Sequence, residues 1–148
     1  MTAQKPLHIL LADDDEDDRE FFSEAMHEVA PQVKISTSVD GGSLMKRLTA
    51  PAALLPDLIF LDVNMPFKSG LECLTELRKI PKFNAVPLIM YSTTDNPDQV
   101  EQAYKAGANL YVKKPQHFAA IKALLDKLLS VDLQSYILQP GMSQFVFH

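Results

Sequence analysis

Leu58-Ile59-Phe60-Leu61-Asp62 decides how this chain is read. Four successive large apolar residues leave no face for solvent, which is the condition of a central strand in a parallel sheet covered on both sides. The run then stops abruptly at a carboxylate. Leu7 to Ala12 repeats the arrangement, too short for a helix and ending in Asp13-Asp14. Between these two runs, Phe21, Phe22, Ala25, Met26 and Val29 share one helical face from Glu16 to about Val29, closed by Pro31. Val33, Ile35, Thr37 and Val39 then alternate as a strand up to Asp40-Gly41-Gly42, and Leu44, Met45 and Leu48 mark a short helix before the Pro51 to Pro56 loop.

Beyond Asp62 the alternation continues. Leu71, Leu74 and Leu77 follow Gly70 as a third helix, Val86 to Tyr91 read as a fourth strand, and Asn96-Pro97 opens a helix with its cap and first-turn proline. Ala106-Gly107 ends that helix, Leu110 to Val112 form a fifth strand, and Phe118, Ile121, Leu124, Leu125, Leu128 and Leu129 stripe a last helix after Pro115. Five strands alternating with five helices predict an α/β fold, a doubly wound five-stranded parallel sheet with right-handed crossovers. The expected organisation is one domain over residues 1–130 and an apolar C-terminal extension over 131–148. That extension carries Val131, Leu133, Tyr136, Ile137, Leu138, Met142, Phe145, Val146 and Phe147, with Pro140-Gly141 as a turn. Burying each large apolar side chain is worth roughly 1.5 to 3 kcal/mol, so the segment is expected either to fold back on its own domain or to dock on a second copy, as a homodimer, or on another partner.

Composition narrows the function. The chain has 148 residues, 47% hydrophobic and 22% charged, the make-up of one soluble globular domain. A single cysteine, Cys73, excludes an intramolecular disulfide, and nothing from Met1 to Leu11 has the form of a signal peptide. No apolar run approaches the ~18 residues a membrane span needs, so the expected location is cytoplasmic. The net charge is -5, but seven acids and one base are packed into residues 13–20. The rest has 12 acids and 13 bases and no Lys/Arg stripe, which argues against nucleic-acid binding. The acidic block reads as a solvated helix start, carboxylates offsetting the macrodipole, and this accounts for Asp15 to Asp18 and Glu20. His8, His27, His117 and His148 are scattered, without ligand spacing to Cys73 or to one another, and Cys73 reads as an ordinary helix residue.

In open parallel sheets the ligand site lies outside the carboxyl ends of the strands. Here those ends are Asp13 and Asp14, Asp62, Ser92, and the stretch Tyr111 to Lys114. Singly, an acid after a strand is more often a helix cap and a lysine before proline more often a solvated loop residue. Together they bring three carboxylates, a hydroxyl and an ammonium to one edge. Three close carboxylates repel, and a divalent ion resolves the repulsion. Oxygen-only ligands favour a hard metal, and two or three acids with room for water suit Mg²⁺. Such a site has the parts for phosphoryl transfer to a carboxylate nucleophile, with Lys114 holding a phosphoryl oxygen.

Ile9-Leu10-Leu11-Ala12-Asp13-Asp14, Leu58 to Pro66 with Asp62 and Asn64, Gly70, Ser92, Ala106-Gly107-Ala108 and Tyr111-Val112-Lys113-Lys114-Pro115 together resemble the receiver domain of two-component response regulators. The resemblance covers about residues 7–130 in the family's order. It implies a flavodoxin-like fold with strand order 2-1-3-4-5, phosphoacceptance at Asp62, and Mg²⁺ bound directly by Asp14 and the Asn64 carbonyl, with Asp13 acting through water. It also implies pairing of Lys114 with the phosphoryl group, conformational switching at Ser92 and Tyr111, and a cis Lys114–Pro115 bond. The overall pattern is loosely similar to single-domain regulators paired with phytochrome-like kinases. Thr93 departs from the small residue the family usually places after the hydroxyl and narrows access to Asp62. Asn64 and Thr94 resemble the positions that tune hydrolysis.

The implied function is a stand-alone response regulator, a switch more than an enzyme. It takes its phosphoryl group from a sensor histidine kinase or histidine phosphotransfer protein and changes its contacts with a downstream protein. Three rivals fit less well. A dehalogenase-like phosphatase shares Asp13-x-Asp15 but has Asp17 where Thr or Val belongs and no acid pair after the fourth strand. A calcium loop from Asp13 to Glu24 has Asp18 where its sharp turn requires glycine. A pseudo-receiver scaffold would not need Asp13, Asp14, Asp62 and Lys114 intact.

Overall fold

Apolar runs without a polar face must be covered twice, and the computed structural model, which describes residues 7–136 and 139–148, covers them with helices on both sides. Strands β1 (His8–Ala12), β3 (Leu58–Leu61), β4 (Leu88–Ser92) and β5 (Leu110–Lys113) are buried over almost all of their length, while β2 (Lys34–Ser38) is a half-exposed edge. They pair in parallel in the order β2-β1-β3-β4-β5, as expected for a flavodoxin-like sheet. The register sets Leu61 opposite both Ala12 and Met90, and Ser92 opposite Lys113. Residues that follow these strands therefore leave the sheet at a common edge.

Helices α1 (Glu16–Val29) and α5 (Phe118–Leu129) cover one face, where Phe22, Met26, Leu125 and Leu128 meet Ile9, Leu11, Phe60 and Ile89. Helices α2 (Gly41–Leu48), α3 (Gly70–Leu77) and α4 (Pro97–Lys105) cover the other, where Leu44, Leu74 and Val100 join the cluster of Leu10, Ile59, Leu61 and Met90. Local chemistry sets their starts. Asp15 caps α1 through the Asp18 N–H, Asp40 caps α2 through the Ser43 N–H, and Ser69 with Glu72 forms a capping box on α3. Asn96 caps α4 with Pro97 in the first turn. The capping role of Asp40 also explains why β2 stops at Ser38 and leaves Val39 exposed, short of the expected strand end.

The expected five strands and five helices are all present, and the C-terminal segment adds one short strand and one helical turn to them. After α5 the chain makes a 3-10 turn at Leu133–Tyr136, a single helical turn α6 (Met142–Phe145) and a sixth strand β6 (Val146–Phe147) parallel to β5, with Tyr111 opposite Val146 and Val112 opposite Phe147. The segment is thus folded back on its own domain. β5 would otherwise present an open row of peptide groups, and β6 satisfies part of that row. Ile137 and Leu138, part of the apolar pattern of this segment, lie outside the described residues, as do Met1 to Pro6. Among the described residues no helix is long and apolar enough to cross a membrane.

Candidate functional site

Backbone hydrogen bonds carry the sheet one residue past its strands and so fix the first carboxylates. Asp13 N–H donates to the Ser38 carbonyl at 3.0 Å, and Asp62 N–H to the Ala12 carbonyl at 2.9 Å. Lys114 N–H donates to the Ser92 carbonyl at 2.6 Å. Asp13, Asp62 and Ser92 are all buried, whereas Asp14 is exposed at the mouth. The turn after β3 is held tightly: Gly70 N–H bonds the Val63 carbonyl at 2.9 Å, and a Cβ on Gly70 would stand 2.0 Å from the Asp62 carbonyl oxygen. Only glycine permits that approach.

Lys114 is the centre of the arrangement. Its Nζ donates to Asp18 Oδ2 at 2.9 Å and to Asp62 Oδ2 at 3.2 Å. It also lies 2.8 Å from Asp13 Oδ2, close enough for strong attraction but out of line for a hydrogen bond. The ammonium stands 5.6 Å from the centroid of the Tyr91 ring, which forms an edge-on trio with Phe22 and Phe60 beneath the site. Burial works against the charge of Lys114, but hydrogen bonding and attraction to the surrounding carboxylates outweigh it and push the pKa up. Burial raises the Asp62 carboxyl from an ordinary 3.8 to about 7; the Asp13 charge adds to this, while Lys114 and the Asn64 N–H, 3.2 Å from Asp62 Oδ1, oppose it.

Asp13, Asp14 and Asp62 each bring a carboxylate oxygen within 4.8 Å of the others. Asp13 Oδ2 is fully buried without an in-line hydrogen bond, and the charge it faces is the Lys114 ammonium at 2.8 Å, a single positive charge set against three carboxylates. The donor set is oxygen only. These residues fit a hard divalent ion.

The remaining expected residues surround this centre. Ser92 Oγ accepts the Thr94 N–H at 3.3 Å. Thr93 is exposed on the wall of a cleft of about 480 Å³ beside Lys114, which Asp18, Phe21 and Pro115 also line. Tyr111 does not face the carboxylates: its ring is fully buried and its hydroxyl donates to the Thr94 carbonyl at 2.7 Å. Phe145, also fully buried, packs beside it at 6.3 Å between ring centroids and against Tyr104 at 5.0 Å. The expected cis Lys114–Pro115 bond is corrected, because every peptide bond among the described residues is trans. The intrinsic difference for an X–Pro bond is only ~0.5 to 1 kcal/mol, and the trans form already delivers Lys114 to its three carboxylates.

Asp18 was not expected at the site. As part of an acidic block it reads as a solvated helix start, but it stands in the first turn of α1, whose cap points that turn back over the strand ends. The available signal was spacing, since Asp18 is one helical turn beyond Asp14.

A sequence model of the response regulator receiver domain matches residues 9–126. The chain belongs to that family. Two-component response regulator ARR6 of Arabidopsis thaliana is 26% identical over 137 residues, 88% of this receiver and 74% of that protein. Response regulator Rcp1 of Synechocystis sp. is 30% identical over 83 residues, 56% of each chain. The crystal structure of Mn(2+)-bound Rcp1 matches with a TM-score of 0.78 at 25% identity, covering 92% of this receiver and 100% of that chain. The phosphorylated cyanobacterial phytochrome response regulator RcpA matches with a TM-score of 0.76 at 28% identity, covering 83% and 91%. In several longer curated relatives the matched region is a third to a half of the length. Receiver domains are in general signalling switches, and the relatives that are enzymes are so through additional domains.

Proposed function

We propose that this receiver accepts a phosphoryl group on Asp62 from the phosphohistidine of a sensor histidine kinase or histidine phosphotransfer protein and passes the signal on by changing its protein contacts. The observation that carries this reading is the convergence of Asp13, Asp14 and Asp62 within 4.8 Å, with the Lys114 ammonium 3.2 Å from Asp62. Asp13, Asp14, Asp62 and the Asn64 carbonyl would hold the divalent ion, taken to be Mg²⁺. When bound, that ion supplies positive charge against the carboxylates and the incoming phosphoryl oxygens.

In the transfer, a carboxylate oxygen of Asp62 forms a bond to phosphorus as the phosphorus–nitrogen bond to the imidazole breaks, and the electron pair leaves with the ring nitrogen. Asp62 must be ionised to do this. With its pKa near 7 in the bare site, a divalent cation is needed to favour the anion as well as to offset charge. Lys114 turns an N–H toward a phosphoryl oxygen. The Ser92 hydroxyl, at the neighbouring strand end, is the neutral donor available to another, and its movement would be felt at the Thr94 backbone that also holds the Tyr111 hydroxyl. Thr93 lines the cleft beside Lys114, and it is taken, with Asn64 and Thr94 two residues beyond the acceptor and the hydroxyl, to bear on the lifetime of the acyl phosphate. The manganese-bound form of Rcp1 and the phosphorylated form of RcpA support this reading by their likeness to this chain.

Intact-protein mass spectrometry after incubation with Mg²⁺ and a small phosphodonor tests it: one added phosphoryl group is expected, absent in Asp62→Asn and absent without divalent ion. Undiminished addition in either case refutes the assignment. No addition to the wild type would favour a pseudo-receiver, and turnover of phosphate esters a phosphatase.

A further inference from the structure

Lys114 has three ammonium protons and three carboxylates around it, yet only two of those carboxylates belong to the acidic cluster suited to a cation. The third, Asp18, hydrogen-bonds Nζ at 2.9 Å, closer than Asp62 at 3.2 Å and about as close as the Asp13 contact at 2.8 Å. It comes from a different element, the first turn of α1, where its own N–H is fixed by the cap residue Asp15 at 3.0 Å. Its side chain is 34% exposed, whereas those of Lys114 and Asp62 are each 8% exposed. Asp18 thus ties the ammonium to the more exposed rim of the cleft as well as to the buried acids. A cation shared among Asp13, Asp14 and Asp62 would offset their charge and weaken their hold on Lys114, while Asp18 lies outside that cluster.

We propose that Asp18 is a positioning residue that competes with the phosphoryl group for Lys114 and so sets how readily the phosphorylated state forms. The inference rests on the phosphoacceptor reading of Asp62. A phosphoryl group there brings about -1.5 to -2 charge and acceptor oxygens for the Lys114 ammonium, which then has to give up or share its bond to Asp18. The competitor opposes phosphorylation by the strength of a partly exposed, hydrogen-bonded ion pair. At the upper end of such pairs this is about fivefold in an equilibrium constant.

The test is a titration of the full chain with beryllium fluoride, a phosphoryl mimic, at saturating Mg²⁺. Amide NMR follows the signals of Asp62 and its neighbours, and mass spectrometry reads phosphoryl incorporation from phosphoramidate in parallel. Asp18→Asn is expected to lower the half-saturating beryllium fluoride concentration about fivefold and to raise phosphoryl incorporation. Asp18→Glu, which can still reach Lys114, should return both values to within twofold of wild type. Asp17→Asn removes a charge from the same helical turn at an exposed position and should change either value less than twofold. An acid that merely supports α1 would lower the thermal midpoint in Asp18→Asn without moving the half-saturation point, and that result overturns the proposal. An equal effect from Asp17→Asn overturns it too, because general charge repulsion then accounts for the gain. If the wild type neither binds beryllium fluoride nor takes phosphate at Asp62, the underlying reading falls and this inference with it; if it does both and Asp18→Asn matches it, only the inference falls.

Discussion

Phe145→Ala should cost this receiver about 3 kcal/mol of stability although the residue is the fourth from the C-terminus. The side chain is fully buried, edge-on to Tyr104 at 5.0 Å between centroids and tilted against Tyr111 at 6.3 Å, within the same core cluster as Leu74 and Met90. Truncating a core phenylalanine costs ~3 to 5 kcal/mol where the surroundings cannot collapse. The lower end applies here because the segment can detach instead of holding a cavity open. What it would give up on detaching limits the loss: the β5–β6 pairing, the Tyr104 hydroxyl bond to the Pro140 carbonyl at 3.0 Å, and the Gln139 bonds to the Tyr104 and Ala108 carbonyls at 2.7 Å each. For a domain of this size ~3 kcal/mol corresponds to a fall of roughly 6 to 12 °C in the melting temperature. Equilibrium urea unfolding of wild type and variant at one pH measures the change, and an added phosphoryl group at Asp62 shows that the strand ends remain assembled. A loss below about 1 kcal/mol, with the native state still formed, would show that residues 139–148 do not pack in solution as described.

Other outcomes follow from the site. In metal-free protein, Asp62→Asn should stabilise the fold increasingly from about pH 4 to pH 7 and level off above, because the folded carboxyl holds its proton to about 7 while the unfolded one releases it near 3.8. The gain is at most ~4 kcal/mol, and melting in chelator at pH 4.5, 6 and 8 that shows a constant or shrinking gap contradicts it. Gly70→Ala should destabilise by more than ~1 kcal/mol and lower phosphoryl incorporation at Asp62, since its methyl group would meet the Asp62 carbonyl at 2.0 Å; unchanged urea midpoint and incorporation would be incompatible with that contact. Ser92→Ala should still take phosphate but show smaller amide shifts near Tyr111 on phosphorylation, and shifts of wild-type size would remove Ser92 from the switch.

Local patterning was enough to specify the layered fold and the edge where its carboxylates gather. A strand covered on both faces has to be apolar throughout, so Leu58 to Leu61 could be recognised without knowing what covers them, and the first carboxylate after such a run has to lie where the strand leaves the core. Alternation of strands and helices then made the parallel sheet and the grouping of Asp13, Asp14, Asp62, Ser92 and Lys114 at one edge legible, while the order of the first five strands came from the likeness to receiver domains. Helix α1 was readable to its ends because its cap, first-turn acids and apolar stripe are all local signals.

What depends on neighbours from distant parts of the chain was not legible. Among adjacent acids in one block, only the turn of α1 over the strand ends separates Asp18, bonded to Lys114 from 96 residues away, from its solvated neighbours. Asp13 and Asp14 are indistinguishable as letters, yet one is buried with an unbonded oxygen and the other exposed. The elevated pKa of Asp62 arises from burial that the whole sheet creates. The apolar character of residues 131–148 required a covering surface, but it named none. Val146 and Phe147 are too few to announce a strand, and they become one because β5 offers an open edge and Phe145 fits beside Tyr104 and Tyr111. Periodicity and caps are properties of short stretches, whereas burial, ion pairing and edge pairing belong to the assembled fold, because they depend on residues brought together from distant parts of the chain.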